Sequence, residues 1–317
     1  MAEARYFMCK AQEGEIFMQE TNCNRKDFGD CMSLEGFSRC VKMDIQKRLG
    51  DSFIVSIGDF LKNNTVKLKG MVIKEQGNCL CPTIYLDDFY HQYRQGRCLT
   101  VIENEILETY EKSRVDEKVD TSFFTDWQKV KGKIVYKLIN YEKNRELLKD
   151  VPHCRLLDLA IVFRCILEKN EKGIAGFLIH YSHLECWGKR QEELYQTALH
   201  NTPELMGYKY EKLDNFLGMD GYESTAAYIL TNRCMLDGAG CILYKDVLKD
   251  IAENWKSDLC IIPCSVNEVI LMPLEKIPDE EKMCEQIRIV NATTLRPEEI
   301  LSDHMYKYIR ATGKITM

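Results

Sequence analysis

The sequence predicts an α+β fold: a small N-terminal α-β-β-β-α-α unit followed by a larger mixed or antiparallel sheet covered by helices. Three observations predict it. Two β-rich runs, Ser52–Lys62 and Thr65–Lys74, follow one another across Asn63-Asn64, a pair that tolerates positive φ. Two long apolar runs, Leu156–Leu167 and Ile174–Tyr181, are split by the charged segment Glu168–Gly173 and read as a central hairpin. Helical spacing at Gly240–Trp255 and Pro278–Val290 brackets the further β-rich text SDLCIIP and EVILMP.

From Met1 to Cys31 the text is polar and aperiodic, and is expected to be a poorly structured extension; Met32 is an alternative start. Ser33 then caps a helix with Leu34, Phe37, Val41, Ile45 and Leu49 on one face and Gly50 as its stop. After the hairpin, Leu80–Leu86 follows the turn Gln76-Gly77-Asn78, and Pro82 makes it an edge strand. Helices follow at Asp87–Gln95 and Leu99–Arg114, the second with Val101, Ile102, Ile106, Leu107 and Tyr110 inward. The charged spacer Val115–Asp120 marks a boundary, dividing the chain into 1–31, 32–116 and 117–317.

Beyond the boundary, Phe123–Lys131 reads as helical and Ile134–Asn140 as a strand or a helix. Gln191–Leu199 is a helix with Leu194, Tyr195 and Ala198 inward, closed by Asn201-Thr-Pro203, and Glu204–Thr225 is irregular. The Gly240–Trp255 helix turns Ile242, Leu243, Val247, Leu248, Ile251 and Trp255 inward, so it is expected to cover a sheet. Pro278 stands in the first turn of a helix carrying Met283, Ile287 and Val290 inward, and Met305–Ile315 closes the chain as a hairpin.

At 317 residues, with 45% apolar and 29% charged residues, the chain can bury a sizeable core, and length alone allows two domains at roughly 150 residues each. Its 43 Lys+Arg against 49 Asp+Glu give a net charge of −6, which excludes an overall polyanion-binding surface. Fifteen cysteines, an odd number scattered through apolar runs, fit reduced buried thiols. No run approaches the ~18 apolar residues of a membrane span, and the start lacks the apolar stretch of a signal peptide. A cytoplasmic location is expected.

Three segments carry a resemblance: PTIYLDDFY at Pro82–Tyr90, KIVYKLINYEKNRELLKDVPHCRLLDLAIVF at Lys133–Phe163, and the AYILTN, GAGCILY and SDLCIIPCSVNEVILMP texts. Together they resemble the bacterial family of domain of unknown function 5688, from about Met32 to the C-terminus. From Leu156 onward the pattern also loosely resembles a second bacillar family with a strand, a helix over a sheet and a hairpin in that order. The resemblance implies a cytoplasmic bacterial protein and assigns no catalytic residue.

His180, His183 and Glu185 place two imidazoles and a carboxylate at the end of a predicted strand, a candidate catalytic or divalent-metal set. On a strand the two histidines point to opposite faces, and polar residues ending a strand is the structural reading; a turn at Ser182 would reunite them. Asp237, Gly238 and Gly240 precede a helix and are candidate anion ligands through backbone N–H groups, against close helix–sheet packing. Ser265-Val-Asn-Glu268 matches a capping box, but the short, proline-bounded run after it favours a hairpin, with Glu268 a candidate carboxylate at a strand start.

Cys154 stands between His153 and Arg155, cationic neighbours of the kind that activate a thiol. Lys129-Val-Lys-Gly-Lys133 is a basic patch that reads as a solvated face more than a nucleic-acid site. No cofactor is implied. The chain is therefore read as a binding or regulatory protein without catalytic activity, with another protein as partner and neither membrane nor nucleic acid expected. The alternative is a metal-assisted hydrolase or transferase using His180, His183, Glu185 and Glu268.

Overall fold

The structure, a computed structural model, describes residues 5–8, 32–76, 80–113, 122–170, 173–216, 218 and 226–317. The spacer Val115–Asp120 and Cys9, Cys23 and Cys31 lie outside the described residues, as does part of the Gln76–Asn78 turn. The chain forms two compact units, neither continuous in sequence: Met1–Leu61, Lys67–Phe123 and Glu168–Phe177 make one, and Lys62–Val66, Phe124–Leu167 and Leu178–Met317 the other.

The first unit contains β1 (Arg5–Met8), α1 (Leu34–Leu49), β2 (Phe53–Leu61), β3 (Lys67–Glu75), β4 (Leu80–Tyr85), α2 (Asp87–Arg94) and α3 (Leu99–Ser113). Its antiparallel sheet runs β1-β4-β3-β2. The expected start and stop of α1 hold: Ser33 Oγ accepts the Gly36 N–H at 3.2 Å, and Gly50 leaves the helix at φ 75°. Phe37, Val41 and Ile45 of α1 meet Val55, Met71, Ile73 and Ile84 of the sheet and Ile102, Ile106 and Tyr110 of α3. Burying each of the larger aliphatic side chains stabilises the unit by about 1.5–3 kcal/mol.

Three expectations change in this unit. Arg5–Met8, inside the stretch read as a loose extension, pairs with β4, so β4 is an inner strand. Pro82 is tolerated because β3 pairs only with Thr83–Tyr85, leaving Tyr6 as the cross-strand partner of Pro82. Val101 is exposed, since the inward stripe of α3 follows Ile102, Ile106 and Tyr110 at a spacing of four.

Next along the chain come α4 (Ser122–Thr125), α5 (Trp127–Val130), β5 (Ile134–Asn140), α6 (Arg145–Leu148), β6 (His153–Leu156), β7 (Leu159–Asn170) and β8 (Gly173–Leu178), most of them in the second unit; the end of β7 and nearly all of β8 fall in the first unit's segment Glu168–Phe177. The chain continues through α7 (Tyr181–Trp187), α8 (Gln191–Met206), β9 (Lys209–Lys212), α9 (Leu213–Phe216), β10 (Tyr228–Thr231) and α10 (Val247–Trp255). It ends with β11 (Leu259–Pro263), β12 (Glu268–Pro273), α11 (Glu280–Thr293), β13 (Tyr306–Ile309) and β14 (Lys314–Thr316). The larger sheet has six strands in the order β14-β13-β11-β12-β10-β9, antiparallel throughout, and a further sheet runs β5-β7-β6 with β8 on β7. The α+β class is as the sequence predicts.

All seven residues of β5 are buried, which is why its text does not alternate and reads equally as helix. α8 runs through Pro203 to Met206, beyond the expected stop, because the unit supplies other bonds there: Thr202 Oγ donates to Ala198 O at 2.6 Å and accepts the Tyr136 N–H at 3.0 Å. Part of Glu204–Thr225, read as irregular, forms β9 and α9. The expected Gly240–Trp255 helix is two pieces, a 3-10 turn Gly238–Leu243 and α10, with Asp246 at φ 65° between them; the inward face is nevertheless as read. In α11, Ile287 is buried but Val290 is exposed, and Asn291 takes the inner position by donating to Ser302 O and Asp303 Oδ1. Pro278 precedes the helix, whose N-cap is Asp279.

The segment Lys62–Val66 is tied within the second unit. Asn64 Nδ2 donates to Pro297 O and Ile300 O, both at 2.7 Å, and its backbone N–H to Asn144 Oδ1 at 2.8 Å. Positive φ, near 60°, occurs at Asn64 and Thr65, so only the second residue of the Asn63-Asn64 pair uses the expected tolerance and the other such position falls on Thr65.

Candidate functional site

The two histidines do not end a strand. His180 is the N-cap of α7 and His183 lies one turn in, so His180 N–H donates to His183 Nδ1 at 2.9 Å. That bond requires an unprotonated Nδ1, which places the proton of neutral His183 on Nε2. His180 Nδ1 lies 2.7 Å from Asp150 Oδ2, and the His183 ring packs on Trp187 with centroids 5.6 Å apart. Glu185 is exposed and only two residues from His183, so the two side chains leave the helix on different faces. Among the described residues no group of three or more His, Cys, Asp and Glu is placed to hold a metal ion.

Asp237, at φ 56°, stands at the start of the 3-10 turn and is buried. Its carboxylate bridges two cations from the neighbouring sheet, Lys137 Nζ of β5 at 3.3 Å and Arg164 Nη1 of β7 at 2.8 Å. The Asp237 backbone N–H donates to Asn267 Oδ1 at 3.0 Å, Ala239 N–H to Val266 O and Gly240 N–H to Asp237 O. These N–H groups are thus occupied within the chain. The glycines answer to space: a Cβ on Gly238 would lie 2.2 Å from Thr231 Oγ1 and 2.4 Å from Asn267 O, and one on Gly240 would lie 3.0 Å from the Tyr136 ring. Asn232, one residue beyond β10, shapes the intervening loop by accepting the Cys234 N–H and donating to Leu236 O.

Ser265 and Glu268 form a hairpin turn between β11 and β12. Ser265 Oγ donates to Glu268 Oε1 at 2.6 Å and accepts the Asn267 N–H at 2.9 Å, while Ser265 N–H donates to Glu268 O. The Ser-x-x-Glu pattern therefore closes a β-turn through a direct side-chain bond, without the reciprocal side-chain-to-backbone bonds of a helix start. Burial pushes the Glu268 carboxyl above the usual range, the Ser265 hydroxyl opposes this, and the like charge of Glu299 adds to it. Beside it, burial pushes the Cys264 thiol up to about 12.

The family model described as "Family of unknown function (DUF5688)" matches residues 34–310. The chain belongs to that family. No curated protein and no solved structure matches it. Every site residue described above lies inside the DUF5688 span.

Two further groupings in the DUF5688 span were not picked out from the sequence. Lys137 and Arg164 each interrupt an apolar strand text, KIVYKLIN and LAIVFRCIL, and a charge inside such a run is the signal that could have found them. Asp158, in the β6–β7 turn after Leu157 at φ 55°, accepts from Ser302 Oγ and Tyr306 Oη, both at 2.6 Å, with His304 Nδ1 at 3.3 Å. Nothing in the local text joins residues nearly 150 positions apart. Cys154 lacks the environment of a nucleophile: burial pushes its thiol up, with Gln191 Nε2 at 3.8 Å from the sulfur opposing it. The Lys129–Lys133 lysines are exposed on α5 and the turn after it.

Proposed function

We propose that this DUF5688 chain is a binding or regulatory protein of bacterial cytoplasm that acts without catalysis, with another protein as its partner. One observation carries the reading: the chemistry-bearing groups engage in local structural bonds. His183 Nδ1 caps α7, His180 pairs with Asp150, Asp237 joins two cations, and Glu268 closes a hairpin with Ser265. A general acid or base needs a lone pair or proton directed at substrate, and a metal needs converging donors. The reducing compartment is supported by Cys165, Cys241 and Cys260, unbridged thiols in the buried interior. No helix among the described residues is long and apolar enough to cross a membrane.

Metal analysis of the purified chain tests this against a metal-assisted hydrolase or transferase using His180, His183, Glu185 and Glu268. The expected result is no stoichiometric zinc or manganese, in the native chain and in His183→Ala alike. Stoichiometric metal that disappears on His183→Ala overturns the binding reading.

A further inference from the structure

In the first unit, α1 and α3 meet through a polar contact inside an otherwise apolar interface. Glu103 of α3 is 3% exposed. Its Oε2 receives Arg48 Nη2 of α1 at 2.7 Å, and Arg48 Nη1 donates to Asn104 Oδ1 at 2.8 Å. The other carboxyl oxygen, Oε1, is buried and has no hydrogen-bond donor. Asp44, one turn before Arg48, lies on the same face of α1, and its carboxyl is among the influences that raise the Glu103 carboxyl. Two carboxylates have no donor between them, so their approach is repulsive unless one of them holds a proton.

We propose that Asp44 and Glu103 hold one proton between them, and that this shared proton is a pH-sensitive bolt closing α1 on α3. The proton supplies the missing donor, and Arg48 then balances the single remaining charge of the pair. Burial is the largest influence raising the Glu103 carboxyl above the usual range, the Asp44 charge and hydrogen bond follow, and Arg48 acts against them. The groups facing Glu103 are few. α1 contributes Asp44 and Arg48, and the start of α3 contributes the Cys98 thiol. α2 packs into this core through Phe89, Tyr90 and Tyr93, and β4 through Ile84.

The sign follows from proton binding. The folded state holds the proton more tightly than the unfolded chain, so stability is fully present below the ordinary glutamate value of about 4.3. It falls as pH rises through the raised value, by at most about tenfold in the folding constant per pH unit. Deprotonation leaves two carboxylates facing one guanidinium and loosens α1 from α3.

Urea unfolding of the full chain across pH, with carbon-detected NMR of the Glu103 carboxyl, tests the bolt. The wild type should show one carboxyl titrating above the ordinary range and a matching decline in stability. Glu103→Gln, whose amide is a permanent donor to Asp44, should lose that part of the decline. A Glu103 carboxyl titrating in the ordinary range, or an unchanged slope in Glu103→Gln, overturns the proposal. Should Glu103→Gln fail to fold, Asp44→Asn decides: Glu103 should then titrate at lower pH, because the like charge is gone and Arg48 remains. Titration at the wild-type value in Asp44→Asn would assign the shift to burial alone and overturn the shared proton.

Discussion

Asp237 has a carboxylate shared by Lys137 and Arg164 in a buried setting, where removing one member of an ionic group leaves uncompensated charge. Asp237→Ala should therefore destabilise the fold by about 3–5 kcal/mol, read as a lowered urea midpoint with an unchanged slope. A midpoint within error of wild type would make the cluster dispensable. Glu268 behaves differently because burial raises its carboxyl. Its folded form binds a proton more tightly than the unfolded chain, so its contribution is fully present below about 4.3 and declines as pH rises through the raised value. Glu268→Gln should flatten this part of the stability–pH curve, and parallel curves for the two proteins would count against it. Cys98 is the opposite case. The Thr100 and then the Val101 backbone N–H groups at the start of α3 hold its exposed thiol below the ordinary range. At neutral pH it should be alkylated faster than Cys186, which is also exposed; equal labelling rates by mass spectrometry would show that the helix start has no effect.

The elements depend on caps and close approaches that are local in chemistry but not always in sequence. α7 begins on His180 with His183 in the capping position, a pair absent from the usual Ser, Thr, Asp and Asn signals, and the helix was consequently read as a strand end. His183→Ala should cost about 0.5–2 kcal/mol, the scale of a lost cap, measured by urea unfolding. The 3-10 turn before α10 requires glycine for a different reason. Gly238→Ala should cost about 1–3 kcal/mol or more by overpacking against Thr231 and Asn267, whereas Gly132→Ala, with nothing within 4 Å of its added Cβ, should be nearly neutral. Equal effects at the two positions would remove the close-approach explanation. The β11–β12 hairpin was legible because Val269–Met272 is too short and too β-branched for the helix that Ser265 and Glu268 suggest.

Across the molecule, each unit has its own apolar cluster. That of the first unit, centred on Phe37, Met71, Ile102 and Ile106, follows the stripes read on α1 and α3. Ile102→Ala should destabilise this unit by about 2–5 kcal/mol and raise amide exchange in α1, α3 and β2–β4; unaltered exchange there would show that Ile102 is not a core contact. Much of this organisation was set by the sequence itself: the α+β class, the α1 caps, the β2–β3 pair, the inner face of α10 and the closing hairpin. Those features rest on interactions within a few residues or on a repeating apolar face, and both leave a period in the text. Tertiary structure alone decided the rest. It placed Pro82 where only β1 pairs with it, buried β5 on both faces, broke the helix at Asp246, and brought Lys137 and Arg164 to Asp237 and Asp44 to Glu103. Buried charges and orphan hydrogen-bonding groups must find partners wherever the folded chain supplies them, and sequence separation carries no record of that distance.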